Sequence, residues 1–145
     1  MNNEVTVINS KTITTNMQRI TLQGECLSAF SKNSAGNYIK LLFAENGSTD
    51  ISLVPKGQRP VMRTYTIRKY IPEENSIEID FVRHNTDQGD HSYAAKWAKQ
   101  ASLGDKICLL GPGEIKDLNH DADWFFMVAD MTALPSLTTK IQSCQ

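Results

Sequence analysis

Two guanidiniums, a phenol and a hydroxyl are packed into Arg63-Thr64-Tyr65-Thr66-Ile67-Arg68. The β-branched and aromatic content of the stretch is that of a strand, yet strands in a sheet or barrel ordinarily bury plain aliphatics. A buried guanidinium without a partner is costly, so Arg63 and Arg68 each need an anion or solvent. The planar fork of arginine suits a phosphate and makes short charge-assisted bonds to it. Tyr65 offers a flat apolar face for the edge of an aromatic ring or a sugar chain. Thr66 offers a hydroxyl and a backbone amide to a heteroatom at the ring's centre. Phosphate, chain and heteroaromatic ring in a row describe a dinucleotide flavin. The other reading is a surface strand whose arginines lie in solvent beside Glu78 and Asp80 across a hairpin. Composition alone leaves both open.

A second feature could also hold an anion. Ser92-Tyr93-Ala94-Ala95 reads as a helix start with Ser92 as its N-cap. The amides of such a first turn point outward with the positive end of the helix dipole behind them. The small Ala94 and Ala95 side chains would let a pyrophosphate approach the backbone. The same helix can serve as an amphipathic plug, because Tyr93 and Trp97 sit one turn apart on one face; the two roles are compatible. Arg83 and His84, leaving the preceding strand, add positive charge or a ring contact, although His84 taken alone is an ordinary loop histidine. Gly111-Pro112-Gly113 is a turn, not a phosphate-binding fingerprint, which needs a helix directly after it and a third glycine.

The elements that must position these groups are mostly short strands. Residues 5–8 and 12–14 suggest a strand pair or one bent strand, and residues 17–22 (MQRITL) alternate apolar and polar. Residues 38–44 (YIKLLFA) form a strong strand between turn-forming stretches, and residues 45–60 read as a long exposed connection. The arginine-bearing strand, a turn at Pro72-Glu73-Glu74-Asn75 and the alternating Ile77-Glu78-Ile79-Asp80-Phe81 make a hairpin. Residues 93–100 are helix-compatible and Gly104 stops them; residues 106–110 (KICLL) are a last strand, ended by Gly111-Pro112-Gly113. About six strands with one late helix predict a mainly β fold, an antiparallel Greek-key barrel. Residues 124–129 (WFFMVA) are a continuous apolar run, as expected of a strand covered on both faces in a parallel sheet. A helix follows from Asp130-Met131-Thr132-Ala133-Leu134-Pro135 to about Cys144. The expected division is a barrel domain over residues 1–120 and the start of an α/β domain over 121–145, in a fragment or natural truncation of a two-domain protein.

Composition narrows the function classes. The hydrophobic share of 40% and charged share of 21% are globular values, so disorder and fibre are excluded. Lys+Arg 15 against Asp+Glu 16, with no basic cluster, leaves no footprint for nucleic acid or an anionic membrane. No signal peptide is read at the start, and no apolar run is long enough to span a bilayer. Cys26, Cys108 and Cys144 are odd in number and widely spaced, which argues against a disulfide framework or a metal site and for the cytoplasm.

The arginine-bearing stretch resembles the RxYTxR flavin motif of the siderophore-interacting proteins, a branch of the ferredoxin-reductase-like flavoproteins. Phe81-Val82-Arg83-His84 is similar to that family's strand ending in histidine. Ala94-Ala95-Lys96-Trp97-Ala98 with Gly104-Asp105 is similar to its ASxWA segment and GD turn, and Asp130-Met131-Thr132-Ala133-Leu134-Pro135 to its DxTALP junction. The resemblance implies FAD as cofactor and reduction of ferric siderophores with electrons from NAD(P)H or a ferredoxin. It implies Arg63 at the flavin phosphates, Tyr65 along the isoalloxazine and ribityl chain, and Thr66 near the N5 atom that accepts hydride. Arg68, Arg83, His84, Ala94 and Ala95 are implied on the pyrophosphate or adenosine half, and Asp130, Thr132 and Ala133 at the isoalloxazine from the domain junction. The chain departs from the family where GPAS is replaced by Ser92-Tyr93-Ala94-Ala95. A serine hydroxyl, worth ~1 kcal/mol as a neutral hydrogen bond, is absent at Ala95, and a proline has become Tyr93. Asn85 stands where the family's glycine follows the histidine. The expected flavin affinity is correspondingly reduced, and a non-catalytic binding or interaction module is the alternative. The unpaired apolar strand at 124–129 is expected to be an edge for dimerisation.

Overall fold

The computed structural model describes residues 3–83, 93–116, 118–119 and 121–144. Seven strands, β1 (Glu4–Thr14), β2 (Met17–Gln23), β3 (Tyr38–Phe43), β4 (Val61–Thr66), β5 (Lys69–Ile71), β6 (Ser76–Val82) and β7 (Lys106–Gly113), form one antiparallel sheet. Their order is β4-β3-β7-β1-β2-β6-β5. Two helices, α1 (Tyr93–Gln100) and α2 (Leu134–Ser143), join three short 3₁₀ turns. Mainly β and antiparallel hold as expected. The six-stranded Greek-key barrel does not: the sheet has seven strands, and among the described residues no ladder joins its edge strands β4 and β5.

The seventh strand comes from the stretch that raised the question of function. Residues 63–70 look like one strand in sequence, but the strand breaks at Ile67 and Arg68. β4 pairs with β3, whereas β5 pairs with β6, at the opposite edge. Ile67 is fully buried and pins this crossing. Its N–H donates to the Asn37 carbonyl at 2.8 Å, and its own carbonyl accepts from the Gly36 N–H at 2.8 Å. Arg68 donates its backbone N–H to the Glu78 carbonyl at 2.8 Å. A sheet whose edge strands are joined by two residues has to curl, bringing β4 and β6 together without pairing them. The expected hairpin around Pro72-Glu73-Glu74 is therefore made by β5 and β6. Asn75, in the left-handed region at φ 47°, closes it; asparagine tolerates that conformation.

Inside the curl, alternation works as read. Ile77, Ile79 and Phe81 of β6 are fully buried while Glu78 and Asp80 face outward. They pack with Ile20 and Leu22 of β2 and Ile39, Leu41 and Phe43 of β3. Each such side chain contributes roughly 1.5–3 kcal/mol of burial. β1 is one bent strand, its register with β2 shifting between Val7 and Asn9 and between Thr12 and Thr14. β7 continues through Gly111-Pro112-Gly113 rather than stopping before it, and Gly113 pairs with Tyr38. A Cβ on Gly113 would collide with the outer end of the Tyr38 ring, so any other residue there would have to displace that ring. From α1, Ala94 and Ala98 are buried against the core.

Downstream, the outcome differs. Residues 124–129 form no strand, and Trp124, Phe126 and Val128 are 76%, 83% and 80% exposed. A strand exists by exchanging backbone hydrogen bonds with a neighbour, and no described strand flanks this run. The strand edge expected to carry a dimer is consequently not formed. α2 does form where expected, with Pro135 in its first turn, a position that suits proline. It lies against the β3 entry: Lys140 Nζ donates to the Lys116 carbonyl at 2.8 Å, and Thr139 crowds Gly36, whose φ of +89° and lack of a Cβ both suit glycine. Among the described residues no helix is long and apolar enough to cross a membrane.

Candidate functional site

Alternation along β4 sets the first part of the site. Val61, Arg63 and Tyr65 are half-buried on one face, while Met62 and Thr64 are exposed on the other. The Arg63 side chain therefore does not stand in bulk water. Its Nη1 donates to the Met62 carbonyl at 2.9 Å, and its Cζ lies 5.3 Å from the centroid of the Tyr93 ring at the start of α1. Tyr93 is itself held, its hydroxyl donating to the Glu45 carbonyl at 2.9 Å and its ring packing 6.2 Å from that of Phe43.

Tyr65 stands on an aromatic wall. Its ring lies 4.5 Å from Phe81 on β6, and Phe81 meets Trp97 of α1 edge-on at 5.8 Å. The Tyr65 hydroxyl has no hydrogen-bond partner among the described residues. Burial pushes its phenol up to about 12, with the Arg63 charge opposing. Tyr65 is therefore a neutral donor at physiological pH. Thr66, half-buried, is the Cα partner of Tyr38 and falls on the strand face opposite Tyr65. A ligand that touches both has to lie across the end of β4.

The other expected site residues are placed less uniformly. Arg68, half-buried beyond the strand break, reaches Gln142 of α2 at 3.5 Å. Arg83 leaves β6 with its backbone N–H bonded to the Asn16 carbonyl at 2.8 Å. Ala94 is buried in the core, so its small side chain serves packing, while Ala95 is half-buried beside it. His84, Asn85 and the expected N-cap Ser92 lie outside the described residues. Asp130, Thr132 and Ala133 form a turn of their own. One Asp130 carboxylate oxygen accepts from the Thr132 hydroxyl at 2.6 Å and from the Thr132 and Ala133 N–H groups at 3.0 and 3.1 Å. These bonds, the hydroxyl's first, hold the Asp130 carboxyl below its ordinary range.

The ion pairs seen at Glu78 and Asp80 are not with Arg63 of β4 or with Arg68, the partners that the surface-strand reading requires. Both carboxylates are taken by Arg19 of β2, whose Nε and Nη2 bond Asp80 at 2.6 and 2.9 Å and whose Nη1 approaches Glu78 at 3.7 Å. Sequence reasoning missed that pairing and also the contact of Tyr93 with Arg63. Both depend on which strands and helices become neighbours, which local spacing does not carry. A cleft of about 400 Å³ is lined by Thr6, Ile8, Gln23, Gly24, Glu25, Glu74 and Asn75. It shares no residue with the β4 site and brings two carboxylates rather than guanidiniums.

The geometry so far is a half-buried arginine and a neutral phenol on one strand face, beside a helix start and an aromatic wall. Residues 6–115 match the sequence pattern of the siderophore-interacting FAD-binding domain. The chain belongs to that family. It is 32% identical to the ferric vibriobactin reductase ViuB of Vibrio cholerae over 143 residues, 93% of this chain and 51% of the relative. It is 30% identical to the NADPH-dependent ferric-chelate reductase of Escherichia coli over 148 residues, 97% of this chain and 56% of the relative. The siderophore-interacting protein SipS of Aeromonas hydrophila superposes with a TM-score of 0.76 at 29% identity, over 98% of this chain and 54% of that one. The chain thus spans about half the length of the relatives it matches. A looser likeness, to the ferredoxin-NADP+ reductase of Plasmodium falciparum at 14% identity and a TM-score of 0.65, shows the ferredoxin-reductase-like fold alone.

Proposed function

We propose that this chain is the FAD-binding part of a ferric-siderophore reductase, taking electrons from NAD(P)H or a ferredoxin and passing them to ferric chelates in the cytoplasm. The observation that carries the reading is the pairing, on one face of β4, of the half-buried Arg63 with a Tyr65 whose hydroxyl is still available. Those groups fit FAD: a cation for the phosphates, a flat ring for the isoalloxazine edge, and an unspent donor beside them. When bound, the flavin supplies the redox chemistry, which releases iron because chelators built for the ferric ion hold the ferrous ion weakly.

In this reading Arg63 binds phosphate, Tyr65 orients the ring and ribityl chain, and Thr66, across the end of β4, hydrogen-bonds near the reacting edge. The Phe81–Trp97 wall behind Tyr65 keeps water from that side. Arg68, Arg83, His84, Ala94 and Ala95 are assigned to the pyrophosphate and adenosine half. Asp130, Thr132 and Ala133 are assigned to the isoalloxazine from the junction with α2. The assigned division keeps residues 1–120 as the flavin domain and 121–145 as the start of an NAD(P)H-binding domain. The names of the Vibrio cholerae and Escherichia coli relatives support ferric-chelate reduction, and the second supports NADPH as donor.

A non-catalytic flavin-binding or interaction module is the second reading, favoured by Ser92-Tyr93-Ala94-Ala95, where Ala95 lacks the serine hydroxyl expected on the pyrophosphate. Photoreduction distinguishes the two. Chain reconstituted with FAD and reduced by light should reduce a ferric siderophore, read as ferrous ion trapped by a coloured chelator. Bound flavin that stays reduced while the chelate stays ferric would leave only the binding module.

A further inference from the structure

We infer that Tyr93 is a positioning residue for the Arg63 guanidinium, and so tunes how this chain selects a phosphate-bearing flavin over one without phosphates. The inference rests on the reading of Arg63 as the phosphate-binding group. Its basis is that Tyr93 is held at three points, one on β4 and two on β3 and the turn that leaves it. Its ring lies under Arg63 of β4, with the guanidinium carbon 5.3 Å from the ring centroid. Its hydroxyl donates to the Glu45 carbonyl just after β3, at 2.9 Å. Its ring also packs against Phe43 within β3. Gly47 of the same loop lies beside the ring, where an added Cβ would come within 3.3 Å of it.

A ring so fixed offers its electron-rich face to a cation at a set height. Among the contacts of Arg63, this one and the bond to the Met62 carbonyl hold the guanidinium over the ring. Ordering the guanidinium beforehand lowers the entropic cost of binding an anion. Tyr93 stands where the family pattern has a proline, a side chain with no π face. The substitution noted in the sequence as a loss is, on this geometry, a different means of holding the arginine.

Tyr93→Leu and Tyr93→Phe separate the contributions. Leucine keeps apolar bulk against Phe43 but removes the π face, whereas phenylalanine keeps the face and removes only the Glu45 bond. Tyr93→Leu should weaken FAD by about fivefold, in the range of a partly desolvated cation–π contact, with riboflavin affinity and melting midpoint nearly unchanged. Tyr93→Phe should lie close to the parent. In an Arg63→Ala background Tyr93→Leu should have no further effect, because the two act through one group. A readout without flavin runs in parallel: the Arg63 side-chain proton resonances should be shifted upfield by the ring and return to ordinary values in Tyr93→Leu. If Arg63→Ala weakens FAD selectively while Tyr93→Leu leaves it unchanged, the inference fails and the phosphate role stands. If Arg63→Ala weakens FAD and riboflavin alike, or neither, the phosphate role fails and takes the inference with it. Absence of the upfield shift overturns the contact itself, whatever the flavin results.

Discussion

Two arginines on this sheet teach opposite lessons. Arg19 on β2 is closed by a bidentate pair with Asp80 and a longer contact to Glu78 across the β2–β6 ladder. Its pKa is raised, by the Asp80 hydrogen bond above all and against the cost of burial. Arg63 on β4 is half-buried as well, but its contacts include a carbonyl and the face of Tyr93, beside a phenol hydroxyl left unbonded among the described residues. The first arginine is used in holding strands together. The second stands at a strand edge, next to the groups that a flavin would need.

Replacing each arginine by alanine should separate these roles. Arg63→Ala should weaken FAD by roughly tenfold to a hundredfold, the value of a hydrogen bond to a charged group. Riboflavin, which lacks the phosphates, should lose much less, and isothermal titration of both ligands measures the difference. Arg19→Ala should cost about 2 kcal/mol in urea unfolding, because it strands a mostly buried Asp80 carboxylate in a site only partly screened by water. Its FAD affinity should match the parent. A reversal, with Arg19 governing flavin and Arg63 governing stability, would break the comparison.

Smaller effects sharpen it. The Tyr65 phenol titrates at about 12 in the folded chain against 10.0 for an ordinary tyrosine. Folded chain thus holds a proton that unfolded chain has lost between those values, so the stability Tyr65 contributes is complete below pH 10 and declines as pH rises toward 12. Urea melts across that window should show the slope, and Tyr65→Phe should remove this residue's share of it. The least effect belongs to a carboxylate whose partners are a hydroxyl and two amides. Asp130→Ala should fray the start of α2, seen as faster amide exchange at Thr132 and Ala133, without moving the unfolding midpoint of the sheet. The lowered Asp130 pKa gives the matching pH dependence: its contribution is present above the ordinary carboxylate range and is lost as pH falls through the folded value.

How far the sequence could be read depends on whether each signal is local. The alternation of Ile77, Ile79 and Phe81 is local, and β6 forms as expected. The α1 helix was legible from the shared face of Tyr93 and Trp97 and its stop at Gly104, and α2 from its opening at Asp130 to Pro135, for the same reason. Residues 63–70 misled because a strand that switches sheet edges at Ile67 keeps an unbroken β composition; only the burial of Ile67 and its bonds to Gly36 and Asn37 mark the break. Residues 124–129 misled in the reverse sense. A continuous apolar run signals a buried strand only where neighbouring strands exist, and no described strand supplies them. For the site, the types at Arg63, Tyr65 and Thr66 were enough to suggest the ligand. The ring beneath Arg63 and the carboxylates claimed by Arg19 were not legible, since each joins elements distant in the chain.

The most direct test is a structure of the chain with FAD bound. It should show the Arg63 guanidinium within hydrogen-bonding distance of a flavin phosphate oxygen, with the isoalloxazine edge against the Tyr65 ring. FAD seated elsewhere, or bound with Arg63 turned away from both phosphates, would contradict the account.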